Sequence, residues 1–207
     1  MKREVSVRMR ASLSTALVVI SMAVPAFAAT SAVNTNTVSP TLVVNVTVQK
    51  AIQLTLATGT ECTVNAGGGG DYNISFGNVD ALAINTPSCG SKFAPTTPGS
   101  TNAVYYSDYT VTPTFTSQSV STNTLTAYVS STFSKANLSI VQANAAPAGI
   151  GNLTAMSTNS GSQTSLASNA TSGTALTRYV GVSVAPTNGA GLTGADSATI
   201  TYTLTVQ

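Results

Sequence analysis

The chain has 207 residues, 43% hydrophobic and only 7% charged, with eight Lys plus Arg against six Asp plus Glu, a formal net charge of +2, no His and no Trp. Disordered chains are normally charged and poor in aliphatic residues, so this composition predicts a chain that buries a core. Without His there is no imidazole base, which excludes Ser–His–Asp and Cys–His catalysis.

Residues 1–28 predict a secretory signal peptide. Lys2, Arg3, Arg8 and Arg10 form a basic start, an apolar stretch follows over 11–24, Pro25 breaks it, and Ala26 and Ala28 supply an Ala-x-Ala cleavage site. The apolar stretch falls short of the roughly 20 residues of a membrane span, and no later segment is a candidate. Cleavage after Ala28 leaves four basic and five acidic side chains, a net charge of −1, with no basic patch for nucleic acid. The expected route is through a periplasm to the cell exterior or surface. In that oxidising setting the two cysteines, Cys62 and Cys89, are expected to form a disulfide.

Residues 29–48 read as an N-terminal extension, and 49–207 as one β-sandwich domain. A polar lead-in ends at Pro40, and an alternating run follows. Leu42, Val44, Val46, Val48, Ile52, Leu54 and Leu56 share one phase, interrupted by Lys50. At about 3.3 Å per residue the run would reach roughly 50 Å, against the ~17–20 Å of an ordinary strand. No Gly, Pro, Asn or Asp between Val48 and Ile52 marks a hairpin. Either one strand crosses between sheets, or its first half leaves the body and pairs elsewhere.

Further on, Gly67–Gly70 and Asp71 read as a loop tip. Tyr72, Ile74 and Phe76 read as a short strand, and Val79, Leu82 and Ile84 as a second apolar set. Tyr109, Val111, Pro113 and Phe115 alternate with threonines, and Pro113 implies an edge strand or a bulge. Leu125, Ala127 and Val129 form a strand, and Leu138 and Ile140 a shorter one. Between Ala143 and Thr177 the pattern fades into a long loop or weak hairpins. Val180, Val182 and Val184 restore it, and the chain closes on a strand with Ile200, Tyr202, Leu204 and Val206 inward and threonines outward. No helical period follows the signal, so the fold class is all-β, an immunoglobulin-like β-sandwich.

The acids Asp71, Asp80 and Asp108 are too scattered for paired-carboxylate chemistry. Asp108, among Tyr105, Tyr106 and Tyr109, reads as a solvated loop acid beside strand aromatics. Two thiols without His make a poor zinc site, one Asp makes no calcium loop, and the glycines lack a phosphate-binding pattern. No catalytic residue, metal or cofactor is assigned, and the protein is not expected to be an enzyme.

These segments together resemble the spore coat protein U family, which includes pilins of archaic chaperone–usher systems. The resemblance is carried by the arm leading into Cys62-Thr63-Val64, by Ile74-Ser75-Phe76-Gly77, by Cys89-Gly90, by Asp108-Tyr109-Thr110-Val111 and by the closing strand after Gly194. Residues 117–177 show no match. Gly194-Ala195-Asp196 replaces the Gly-x-Tyr-x-Asp that usually leads into the last strand. The resemblance implies an incomplete sandwich that a neighbour's arm completes as a donor strand, with Leu42, Val44, Val46 and Val48 as anchors. It also implies a periplasmic chaperone and an outer-membrane usher as partners, beside other copies of the chain or related subunits. The expected function is a structural subunit of an extracellular fibre, pilus or surface coat. The alternative is a monomeric secreted module that binds carbohydrate or matrix through a self-contained sandwich.

Overall fold

The computed structural model describes residues 44–46, 51–66, 72–116, 122–187, 189 and 191–207. The chain divides into Met1–Val46 and Thr47–Gln207. In the first unit residues 44–46 have no regular secondary structure, and Val44 and Val46 are exposed. The expected signal peptide, Leu42, Val48, Lys50, Gly67–Gly70 and Asp71 lie outside the described residues.

The second unit is an all-β, antiparallel sandwich. Its strands are β1 Ile52–Thr58, β2 Asn65–Ala66, β3 Tyr72–Asn73, β4 Ser91–Phe93, β5 Ala103–Phe115, β6 Asn123–Ser131, β7 Leu138–Ala143, β8 Thr154–Ala155, β9 Thr164–Ser168, β10 Leu176–Val184 and β11 Thr199–Val206. The larger sheet runs β1-β5-β10-β7-β8, and the smaller one β11-β6-β9. β5 is the spine of the larger sheet. β10 pairs with its first part, while β4 and then β1 occupy successive stretches of its other side.

Period-two alternation explains which faces are buried. On β5 Tyr109 and Val111 are buried, and on β6 Leu125, Ala127 and Val129, whereas Thr114, Thr124 and Ser130 are exposed. These inward residues meet Val180, Leu166 and Met156 between the two sheets as the main core. A second cluster around Tyr105, Val182 and Val184 fills the end where β5 begins. A third, with Val104, Val141 and Leu153, lies on the opposite face of the larger sheet from Tyr105 and Val182.

Four expectations are corrected. The strand expected over Tyr72–Phe76 is only β3, paired with β2, and Ile74 and Phe76 pack against the core without a ladder. Leu82 and Ile84 are exposed at 48% and 75%. Their alternation is accidental, because the Asp80 carboxylate accepts the N–H groups of Leu82, Ile84 and Asn85 and winds the segment into a turn. Pro113 sits in an interior strand, but it lies beyond the start of β10, so its missing N–H breaks no ladder there. The region over 143–177 holds two strands, β8 and β9, whose neighbourhood buries Leu153, Met156 and Leu166.

Candidate functional site

The two flanks of the sandwich differ. On one, residues 153–168 stitch the sheets together. The Val129 N–H donates to the Ser157 carbonyl at 2.8 Å, the Met156 N–H to the Ile140 carbonyl at 3.1 Å, and Arg178 Nε to the Leu166 carbonyl at 2.8 Å. On the other flank, among the described residues, β1 ends the larger sheet and β11 ends the smaller one, and the two are not paired with each other. They nonetheless approach within 8 Å between Cα atoms. This flank is the seam of the sandwich.

Backbone alternation decides what the seam offers. The Thr116 N–H donates to the Ala51 carbonyl at 3.0 Å, which fixes the phase of the β1–β5 ladder. In that phase Ile52, Leu54 and Leu56 turn their N–H and C=O groups away from β5. On β11 the Gln207 N–H donates to the Thr122 carbonyl at 3.1 Å. That phase turns the backbone groups of Ile200, Tyr202 and Leu204 away from β6. The same six residues direct their side chains toward the interior. Leu54, Leu56, Ile200, Tyr202 and Leu204 are only half-buried, and Ile52 is 49% exposed. An edge of this kind is a template for a further strand.

Tyr202 reaches across the interior to Tyr109 of the opposite sheet, with ring centroids 6.1 Å apart and planes at 67°. Burial pushes the Tyr202 phenol well above its ordinary value, and the neighbouring Tyr109 adds to the shift. Burial likewise raises Tyr109, while the neighbouring Tyr202 hydroxyl and the Arg178 charge pull against that rise.

Of the residues singled out in the sequence, Cys62 and Cys89 are joined as a disulfide, with Cα atoms 5.1 Å apart. Ile200, Tyr202 and Leu204 line the seam, and Val206 is buried at the end of β11. Val44 and Val46 are exposed in the first unit. Asp108 is not a solvated loop acid. It lies within β5 at 6% exposure, and its carboxylate accepts the N–H groups of Thr60 and Glu61 and the Thr60 hydroxyl. Burial works to raise its pKa, but those donors outweigh it and the net shift is downward. Gly59 makes this possible, since a Cβ there would lie 2.4 Å from the Asp108 carboxyl carbon. Sequence reasoning missed this turn because its partner is 48 residues away.

The other charges among the described residues are also spent on neutral groups. Lys92 Nζ donates to the carbonyls of Ala83 and Asn85, each at 2.7 Å. Arg178 donates to the carbonyls of Leu166 and Thr177, Asp196 accepts from the Lys135 and Ser197 amides, and Glu61 accepts from the Ser91 hydroxyl. Among the described residues no three metal-ligating side chains gather.

The geometry defines an antiparallel β-sandwich in which, among the described residues, β1 and β11 each end a sheet on the same flank. Comparison with protein-family models, with curated proteins and with solved structures finds no match.

Proposed function

We propose that this chain is a structural subunit of an extracellular fibre, pilus or surface coat that assembles by β-strand addition. The arm of one copy, anchored by Leu42, Val44, Val46 and Val48, fills the seam of the next. The single observation that carries this reading is the seam. Among the described residues, Ile52, Leu54 and Leu56 of β1 and Ile200, Tyr202 and Leu204 of β11 have no ladder partner on this flank, and the same residues carry exposed or half-buried apolar side chains. A strand between them would cover both at once. The length and alternation of the run over 42–56 support a donor from the same chain. Contacts between unlike surfaces, arm to seam, do not close on themselves and so propagate into fibres.

The reading includes an immunoglobulin-like sandwich that lacks one strand, export through the signal peptide, and the resemblance to spore coat protein U. Passage through a periplasm would then call for a chaperone that shields the seam and an outer-membrane usher that receives the subunit.

Purified mature protein, residues 29–207, tests the reading by negative-stain microscopy and light scattering. Head-to-tail filaments or a ladder of oligomers are expected. A stable monomer whose arm completes its own sheet would replace it with the self-contained binding module.

A further inference from the structure

We infer that the end of the sandwich carrying the turn from Asp80 to Asn85 pairs with the same end of a second copy, Leu82 and Ile84 of each entering an aliphatic cavity of the other. This contact uses neither the arm nor the seam, so it stands or falls apart from strand addition.

The turn is gripped from within. The Asp80 carboxylate accepts the N–H groups of Leu82 at 2.8 Å, Ile84 at 3.1 Å and Asn85 at 2.6 Å, and the Tyr105 hydroxyl at 3.2 Å. Lys92 Nζ donates to the carbonyls of Ala83 and Asn85 at 2.7 Å and lies 3.4 Å from that of Ile84. The peptide units Ala83–Ile84 and Ile84–Asn85 are therefore held at both ends, N–H by the acid and C=O by the base. Ala83 adopts a left-handed conformation with φ of 54° and turns its methyl into the core cluster of Tyr105 and Val182. A non-glycine residue in that region is uncommon, and such backbone persists where its surroundings enforce it, often at functional sites. The clamp holds Leu82 and Ile84 out in water, at 48% and 75% exposure. Side chains already fixed in place lose little freedom when a partner covers them.

Beside the turn lies a cavity of about 440 Å³, a size that admits small ligands or a few side chains. Among the described residues its aliphatic walls are Val79, Ala81, Leu138, Val184 and Leu192. Asp80 and Lys135 also line it, the first closed on the amides of the turn and the second with Nζ 3.4 Å from the Ala195 carbonyl. The segment that walls the cavity with Val79 and Ala81 continues directly into Leu82 and Ile84, so knob and hole share one end of the sandwich. The clamp stops the knob from folding back into its own hole. A patch with both features is self-complementary about a two-fold axis, and the contact closes at two copies. Asp80 and Lys92 are both directed at backbone groups, so the turn sets no bare like charges against each other across that axis. In a fibre the contact would join two rows of subunits side by side.

The test uses residues 29–207 with the arm disabled by Val44→Asp and Val46→Asp, followed by sedimentation velocity from micromolar to millimolar concentration. A monomer–dimer equilibrium that stops at two copies is expected. Leu82→Ala with Ile84→Ala removes the knob, and Thr193→Trp fills the cavity from its exposed rim. Each should weaken dimerisation by about tenfold or more, with thermal melts unchanged. Mixing the two variants should recover part of the association, because the knob of one then meets the empty cavity of the other. Cross-linking locates the contact independently. Chains carrying Ile84→Cys and chains carrying Thr193→Cys should form a disulfide-linked pair on mild oxidation faster than either links to itself. A monomer over the whole range, a dimer indifferent to both changes, or Ile84→Cys chains that link only to each other overturns the inference and leaves strand addition intact. Filaments of the arm-disabled chain overturn strand addition instead, and the cross-linking pattern then decides this contact by itself.

Discussion

The carboxylate of Asp108 receives both the backbone N–H and the hydroxyl of Thr60, each at 2.8 Å, although the residues are 48 apart in the chain. Together with the Glu61 N–H at 3.0 Å and the bond from the Cys62 N–H to the Ser107 hydroxyl at 3.1 Å, this fastens the turn after β1 to the middle of β5. It fills the stretch of β5 between its pairings with β4 and β1.

Replacing Asp108 by Asn should cost about 1.5–3 kcal/mol in urea unfolding, because charge-assisted bonds are lost and an amide N–H₂ is turned against N–H donors. The folded carboxyl titrates below its ordinary 3.8, so these bonds contribute fully above the ordinary carboxylate range and are lost as pH falls through the lower folded value. Asp80 and Asp196 shift in the same direction. Stability should therefore be level from neutral pH down to about pH 5 and decline below about pH 4. The Asn variant should start lower and lose less on acidification. A variant whose acid profile matches the parent would refute the assignment.

Gly59→Ala should destabilise by more than about 2 kcal/mol, since the added methyl would lie 2.4 Å from the Asp108 carboxylate and 2.6 Å from its carbonyl oxygen. Gly149→Ala, with nothing within 4 Å of the new Cβ, should stay within about 0.5 kcal/mol of the parent. Parallel thermal melts give the comparison, and similar melts for the two variants would contradict it.

The disulfide closes a sequence separation of 27 residues. In the chain-entropy account a loop of that size stabilises by roughly 3–4 kcal/mol. The Cys62→Ser, Cys89→Ser double variant should lose about that much. Intact mass with and without reduction, followed by alkylation, checks the bond itself, and two thiols alkylated without reductant would rule it out.

Val44 and Val46 are 73% and 80% exposed, so charging them should leave the sandwich as stable as before, within about 0.5 kcal/mol. Assembly should nevertheless stop, because two unpaired carboxylates would have to enter an apolar seam. Light scattering and microscopy read the outcome, and filaments formed by the Val44→Asp, Val46→Asp chain would disprove the arm's role.

Strands with clean alternation were legible in the sequence. β5, β6, β10 and β11 fall where Tyr109–Val111, Leu125–Val129, Val180–Val184 and Ile200–Val206 place them. β9 was not, because Leu166 is its one buried residue and its register with β6 shifts between Leu125 and Thr126. Leu82 and Ile84 misled as an apolar set because the Asp80 carboxylate, gathering their amides into a turn, leaves both side chains exposed. The β11 bank of the seam was readable from alternation. Its place at the end of a sheet was not, since an edge is defined by which distant strands fail to pair with it.

Among the described residues, the charged side chains of this sandwich answer to carbonyls, amides and hydroxyls instead of to one another. Ionic strength acts chiefly on attraction and repulsion between full charges. A body held by apolar burial and by carboxylates locked onto amides has few such pairs to lose, and the net charge of −1 expected after cleavage gives copies little mutual repulsion to be screened. Its stability should change little between fresh water and brine, and strongly hydrated salts such as sulfate should tighten it. A material built from it would suit surfaces whose salinity swings.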